Sequence, residues 1–185
     1  MTKAIKSADR ANASILKDSR VLVIGGDHEN TLASVRALGL AGVDFDLLIH
    51  DGKPCGKSAV FASRYAPVPI YAEGSYDSVH KAVKTWLGDS DPASCLLMPS
   101  SDLSALVVDE CFRPLGVKAS GFLGDKWRIC DLMDKHDQSQ WAAARGIPVA
   151  KGVEIELASS DTHSPLALPI IIKPAVSAEG QKSDI

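Results

Sequence analysis

The chain lacks the cysteine spacing of a metal ribbon or a disulfide scaffold. Cys55, Cys95, Cys111 and Cys130 are scattered, with no C-x-x-C pair and no histidine pair at ligand spacing. Zinc structure is therefore not expected, and the thiols read as reduced and buried or incidental. No long block of like charge occurs and the net charge is −3, which gives no footprint for nucleic acid. No hydrophobic run approaches the ~18 residues of a membrane span. The opening residues 1–20 are polar and mixed in charge, without the apolar centre of a signal peptide. The expected location is the cytoplasm, with no membrane partner. Two catalytic signatures are also missing: G-x-G-x-x-G, because no third glycine follows Gly25-Gly26 at the required step, and G-x-S-x-G. A Ser-His-Asp set can be assembled from the scattered histidines, but without that elbow hydrolase chemistry is not favoured.

What is present is a hydrophobic content of 45% over 185 residues, enough for one domain plus part of another. Residues 1–18 read as a loose leader. Arg20-Val-Leu-Val-Ile24 is a short β-branched run closed by Gly25-Gly26, the pattern of a buried parallel strand. A helix from Asn30 or Thr31 to about Leu40, ended by Gly42, and a strand over Phe45–His50 complete a βαβ unit. Pro67 and Pro69 confine 65–71 to an edge segment. An amphipathic helix follows over Asp77–Leu87, then a central strand over Cys95–Pro99. Ser100-Ser101-Asp102 caps a helix over 103–112, and Val117–Ser120 forms a last short strand. The expected architecture is α/β: a three-layer, Rossmann-like parallel sheet over 19–124. Loops at the carboxyl ends of such strands face the ligand crevice. This makes Gly25, Gly26, Asp27, Ser100 and Asp102 candidate substrate contacts.

Composition changes beyond residue 124. A linker and helix occupy 125–145, with Asp134 as N-cap and Gly146 as stop. Gly146-Ile-Pro-Val149 leads into an expected strand over 152–157, and Leu168-Pro-Ile-Ile-Ile-Lys173-Pro174 forms another. Lys173 leaves that strand into a small polar loop, an arrangement suited to an anion. Two strands and one helix are too little for an independent core, so apolar surface is expected to stand exposed between 147 and 174.

Taken in order, Asp134-Lys135, Gly146-Ile-Pro-Val149 and Leu168–Pro174 resemble the ATP-grasp superfamily of carboxylate–amine ligases, with some likeness to its D-aspartate ligase-like members. The domain before them resembles the pre-ATP-grasp domain of that family. The resemblance implies ATP and Mg2+ as cofactors. Lys135 and Lys173 would contact the nucleotide, and Ser177, Glu179, Gly180, Lys182 and Ser183 would belong to the loop closing over its phosphates. That loop departs from the family by holding a single glycine. The implied chemistry is phosphorylation of a substrate carboxylate, on an amino acid or peptide, followed by amine displacement of phosphate. Small-molecule carboxylate and amine substrates are the implied partners, with a homodimer allowed. No pair of magnesium carboxylates follows Lys173, so metal ligands are expected beyond residue 185. The 146–185 segment then reads as the start of an ATP-grasp domain, and the chain as the N-terminal part of a longer enzyme, inactive or weakly nucleotide-binding alone. The alternative is a non-catalytic Rossmann-like module binding a small molecule or nucleotide.

Overall fold

A computed structural model of the chain describes residues 19–51, 58–119, 133–155, 166–167 and 169–171. The chain divides into two compact units, Met1–Phe122 and Leu123–Ile185.

The first unit is organised by strand β1, Arg20–Gly25, whose residues after Arg20 are all buried. A strand buried on both faces must be apolar throughout, and Val-Leu-Val-Ile meets that demand. β1 pairs in parallel with β2 (Asp46–Ile49) on one side and with β4 (Cys95–Pro99) on the other. The short edge strands β3 (Ile70–Tyr71) and β5 (Lys118–Ala119) extend the sheet outward, also in parallel. The spatial order is β3-β2-β1-β4-β5.

Helices cover both faces. Helix α1, Glu29–Ala41, follows β1 and buries Val35 and Leu38 against Val21, Val23, Leu47 and Ile49. It ends where Gly42 adopts a left-handed conformation (φ 66°), which costs a glycine little. Helix α2, Tyr76–Leu87, lies on the opposite face. Ser75 caps it by accepting a hydrogen bond from the Ser78 amide, and Val79, Val83, Trp86 and Leu87 pack on Leu22, Ile24, Leu48 and Leu97. The Trp86 indole donates to Asp46 Oδ2 at 2.7 Å, so its one polar atom is paired where it reaches the sheet margin. Because α1 and α2 cover opposite faces, the chain reverses direction across the sheet between β1 and β4. That reversal opens a crevice at the carboxyl ends of these two strands.

Helix α3 differs from the expected continuous helix. Asp102–Val107 is α-helical, whereas Val108–Phe112 winds as a π-turn. Within that wider turn Asp109 is fully buried and pairs with Arg113 at 3.0 Å, while Phe112 fills the core. Such turns inside helices are uncommon and local.

In the second unit, helix α4 spans Lys135–Ala143. Asp134 Oδ1 accepts from the amides of His136 (2.7 Å) and Asp137 (3.1 Å), as the N-cap pattern requires. The strands expected next are not seen among the described residues: 152–155 and 169–171 join no ladder. An extended segment becomes a strand only when a neighbour satisfies its backbone groups. Ile147, Val149, Val153 and Ile155 are instead 38–49% exposed. Cys95 and Cys111 are free thiols; Cys55 and Cys130 lie outside the described residues.

The Asp109–Arg113 pair yields a stability test. Arg113→Ala leaves a buried carboxylate without this partner and should lower unfolding free energy by about 2–4 kcal/mol in urea denaturation. An apolar replacement of both residues, Asp109→Leu with Arg113→Met, should recover much of that loss.

Candidate ligand site at the carboxyl ends of the strands

Three loops converge where β1, β2 and β4 end. The first is Gly25-Gly26-Asp27-His28, between β1 and α1. The second begins with His50-Asp51 after β2. The third is Ser100-Ser101, between β4 and α3. Strand pairing sets their proximity: the Ser100 amide donates to Ile24 O at 2.8 Å and the His50 amide to Gly25 O at 3.0 Å.

Side chains then knit the loops together. Ser100 Oγ donates to Ile24 O at 3.1 Å and lies 2.8 Å from Thr31 Oγ1, so the Thr31 hydroxyl supplies the proton of that second bond. Asp51 Oδ2 accepts from the Asp27 amide at 2.9 Å and holds the turn after β1. Asp27 Oδ1 accepts from Ser58 Oγ at 2.6 Å. His50 Nε2 lies 2.8 Å from Ser101 Oγ, and His50 Nδ1 lies 3.0 Å from Asp51 Oδ1.

The two glycines are dictated by close approach. A Cβ on Gly25 would overlap Ser100 Oγ and Thr31 Oγ1; one on Gly26 would overlap Asp51 Oδ2. A side chain at Gly25 would have to displace the Ser100 and Thr31 hydroxyls, and one at Gly26 the Asp51 carboxylate.

His50 is the electrostatic centre of the cluster. It is only 6% exposed, and burial lowers the pKa of its ring from the ordinary 6.5. Asp51 opposes that shift, whereas His28 adds to it. Although Asp51 Oδ1 is within 3.0 Å, it lies off the axis of a hydrogen bond, and Nδ1 is left without a hydrogen-bond partner. The carboxylate nonetheless selects the tautomer. A lone pair on Nδ1 facing Asp51 would be repelled, so the proton resides on Nδ1 and Nε2 accepts from Ser101. Ser101 also caps α3: its Oγ accepts from the Ser104 amide at 3.2 Å, and Ser104 Oγ accepts from the Ser101 amide at 3.1 Å.

Of the substrate contacts expected from sequence, Gly25, Gly26, Asp27 and Ser100 come together here. Asp102 does not: it is the exposed first residue of α3, and no hydrogen bond among the described residues joins it to the cluster. His50, Asp51, Ser101, Thr31 and Ser58 complete the cluster and were not selected from sequence. Their one legible signal was the position of His50 and Ser101 at strand ends. Lys135 is the half-buried first residue of α4, in the second unit. Lys173, Ser177, Glu179, Gly180, Lys182 and Ser183 lie outside the described residues. Among the described residues no group of three or more His, Cys, Asp or Glu is placed to hold a metal ion, and no helix is long and apolar enough to cross a membrane.

The chain matches no family model, no curated protein and no solved structure. The fold therefore rests on the α/β geometry itself: a five-stranded all-parallel sheet with helices on both faces.

His50 also links pH to stability. Its folded pKa lies below 6.5, so between these two values the unfolded chain binds the extra proton. The contribution is fully present above pH 6.5, is lost as pH falls through the folded pKa, and levels off below it. Urea midpoints between pH 8 and 5 should decline for the native chain, and His50→Gln should flatten that part of the decline.

A second test concerns loop spacing. Gly25→Ala should cost about 1–3 kcal/mol by overpacking, read by thermal unfolding. A neutral outcome would mean that Ser100 and Thr31 separate freely.

Proposed function

We propose that this chain supplies the substrate-binding first domain and the opening of the nucleotide-binding part of an ATP-dependent carboxylate–amine ligase. The observation that carries the reading is an order of parts. A parallel sheet with a polar cluster at its switch point is followed, in a separate unit, by a helix whose first residue is Lys135 and whose cap is Asp134. That order, with the apolar sequence Leu168–Pro174 behind it, is the one on which the ATP-grasp resemblance rests.

In this reading the β1–α1 turn and Ser100 orient a small carboxylate substrate, an amino acid or peptide. The start of α1 suits a carboxylate, since His28 caps it without a side-chain bond and its first amides face outward from the helix end. Lys135 contributes positive charge toward the nucleotide phosphates. Lys173 and the 177–183 loop join it by resemblance alone. ATP, with Mg2+, supplies the phosphoryl group that converts the carboxylate into an acylphosphate; an amine then displaces phosphate. The chain's own residues bind and orient the carboxylate and neutralise charge.

One observation favours a second reading, a small-molecule binding module. The hydrogen bonds described for the cluster, from Gly25 to Ser101, all join residues of the first unit.

Calorimetry separates the two. The ligase reading predicts weak binding of Mg·ATP, weakened roughly tenfold by Lys135→Ala, the scale of one hydrogen bond to a charged group. Binding of NADH without Mg·ATP would contradict it, and Mg·ATP affinity unchanged by Lys135→Ala would remove the role of Lys135.

A further inference from the structure

The switch-point cluster contains three side chains in the relation of nucleophile, base and orienting acid. Ser101 Oγ is 2.8 Å from His50 Nε2, and His50 Nδ1 is 3.0 Å from Asp51 Oδ1. They come from two loops far apart in sequence, after β2 and β4, the strands that flank β1 in the sheet. We propose that Ser101 is an acyl-accepting nucleophile activated by His50, and that the first unit hydrolyses small carboxylic esters.

Three features of the geometry favour this over a purely structural bond. The first is the tautomer: Asp51 keeps the proton on Nδ1, so Nε2 presents its lone pair to the Ser101 hydroxyl, as a general base must. The second is the neutrality of the ring. Burial disfavours the imidazolium, so His50 is available as an acceptor near neutral pH. The third is exposure. Ser101 is half-buried while His50 is buried behind it, so a substrate would meet the hydroxyl and not the base. The Ser104 amide, 3.2 Å from Ser101 Oγ, and the Ser104 hydroxyl, 2.9 Å from it, fix that oxygen in place beside His50. The Asp51 carboxylate lies off the Nδ1 axis, a looseness common in ligand-free sites that tightens when substrate binds.

The step balances within these residues. Ser101 Oγ forms a bond to the ester carbonyl carbon as its proton moves to His50 Nε2. The C–O bond to the leaving alcohol breaks, and the proton returns from His50 to that alcohol. Water then attacks the Ser101 ester, giving its proton to His50, and the carboxylic acid departs as the hydroxyl of Ser101 is restored. The sequence offers no G-x-S-x-G elbow to announce this set, because here the serine is the cap of α3 and its partners come from the end of β2.

The inference is independent of the ligase reading, and its test contains no nucleotide. The full chain is treated with a fluorophosphonate probe and the modified residue is located by peptide mass spectrometry. Labelling at Ser101 is expected. It should vanish in Ser101→Ala, slow about a hundredfold in His50→Ala, and persist in Ser94→Ala, a serine just before the amino end of β4 and so at the opposite end of the strand from Ser101. If His50→Ala fails to fold, the native chain still tests the base through pH. The groups acting on the ring are Asp51 and His28, with neutral Ser101 on its other side. The labelling rate should fall as pH drops, with a midpoint below 6.5. No modification of Ser101, or a labelling rate whose midpoint lies above 6.5, would overturn the proposal. A label confined to other residues would do the same.

Discussion

The first unit depends on burial of β1 on both faces. Val21 and Val23 face α1, and Leu22 and Ile24 face α2 and α3, each at most 2% exposed. At ~1.5–3 kcal/mol for each fully buried aliphatic side chain, these four contribute roughly 6–12 kcal/mol of gross burial. The strand also leaves no freedom in where the loops go. With parallel neighbours on both sides and helices on opposite faces, the carboxyl ends of β1, β2 and β4 must open into one crevice. The chemistry found there is a consequence of that packing.

The crevice is held by exchange among short polar side chains and not by long charged ones. Asp51 serves two purposes, fixing the turn after β1 through the Asp27 amide and setting the tautomer of His50. Ser101 likewise caps a helix and meets the imidazole. Such shared bonds couple the loops, so displacement of one is felt by the others. The absence of a side chain on Gly25 and Gly26 is part of the same construction, since it allows hydroxyl and carboxylate groups to approach the backbone.

Much of the fold was legible in the sequence because it depends on local pattern. The Val-Leu-Val-Ile run, the helix stop at Gly42, the prolines confining β3 to an edge, and the caps at Ser101 and Asp134 all act within a few residues. The cluster was only half legible. Gly25, Gly26, Asp27 and Ser100 were marked by position after strands, but the bond between His50 and Ser101 joins residues 51 positions apart and exists only once the sheet order is set. The π-turn at Val108–Phe112 was missed because its sequence carries an ordinary helical spacing. In the second unit, the sequence over 152–157 suggested a strand, but a local pattern cannot supply the neighbouring strand a ladder needs, and Val153 and Ile155 are exposed.

The central claim is that a buried, neutral His50 bridges the β2 and β4 loops with its proton on Nδ1. Long-range 1H–15N NMR of the imidazole nitrogens across a pH titration tests it most directly. The account predicts a protonated Nδ1, an acceptor-type Nε2, and a midpoint below 6.5. A ring protonated on Nε2 at neutral pH, or one titrating above 6.5, would contradict it.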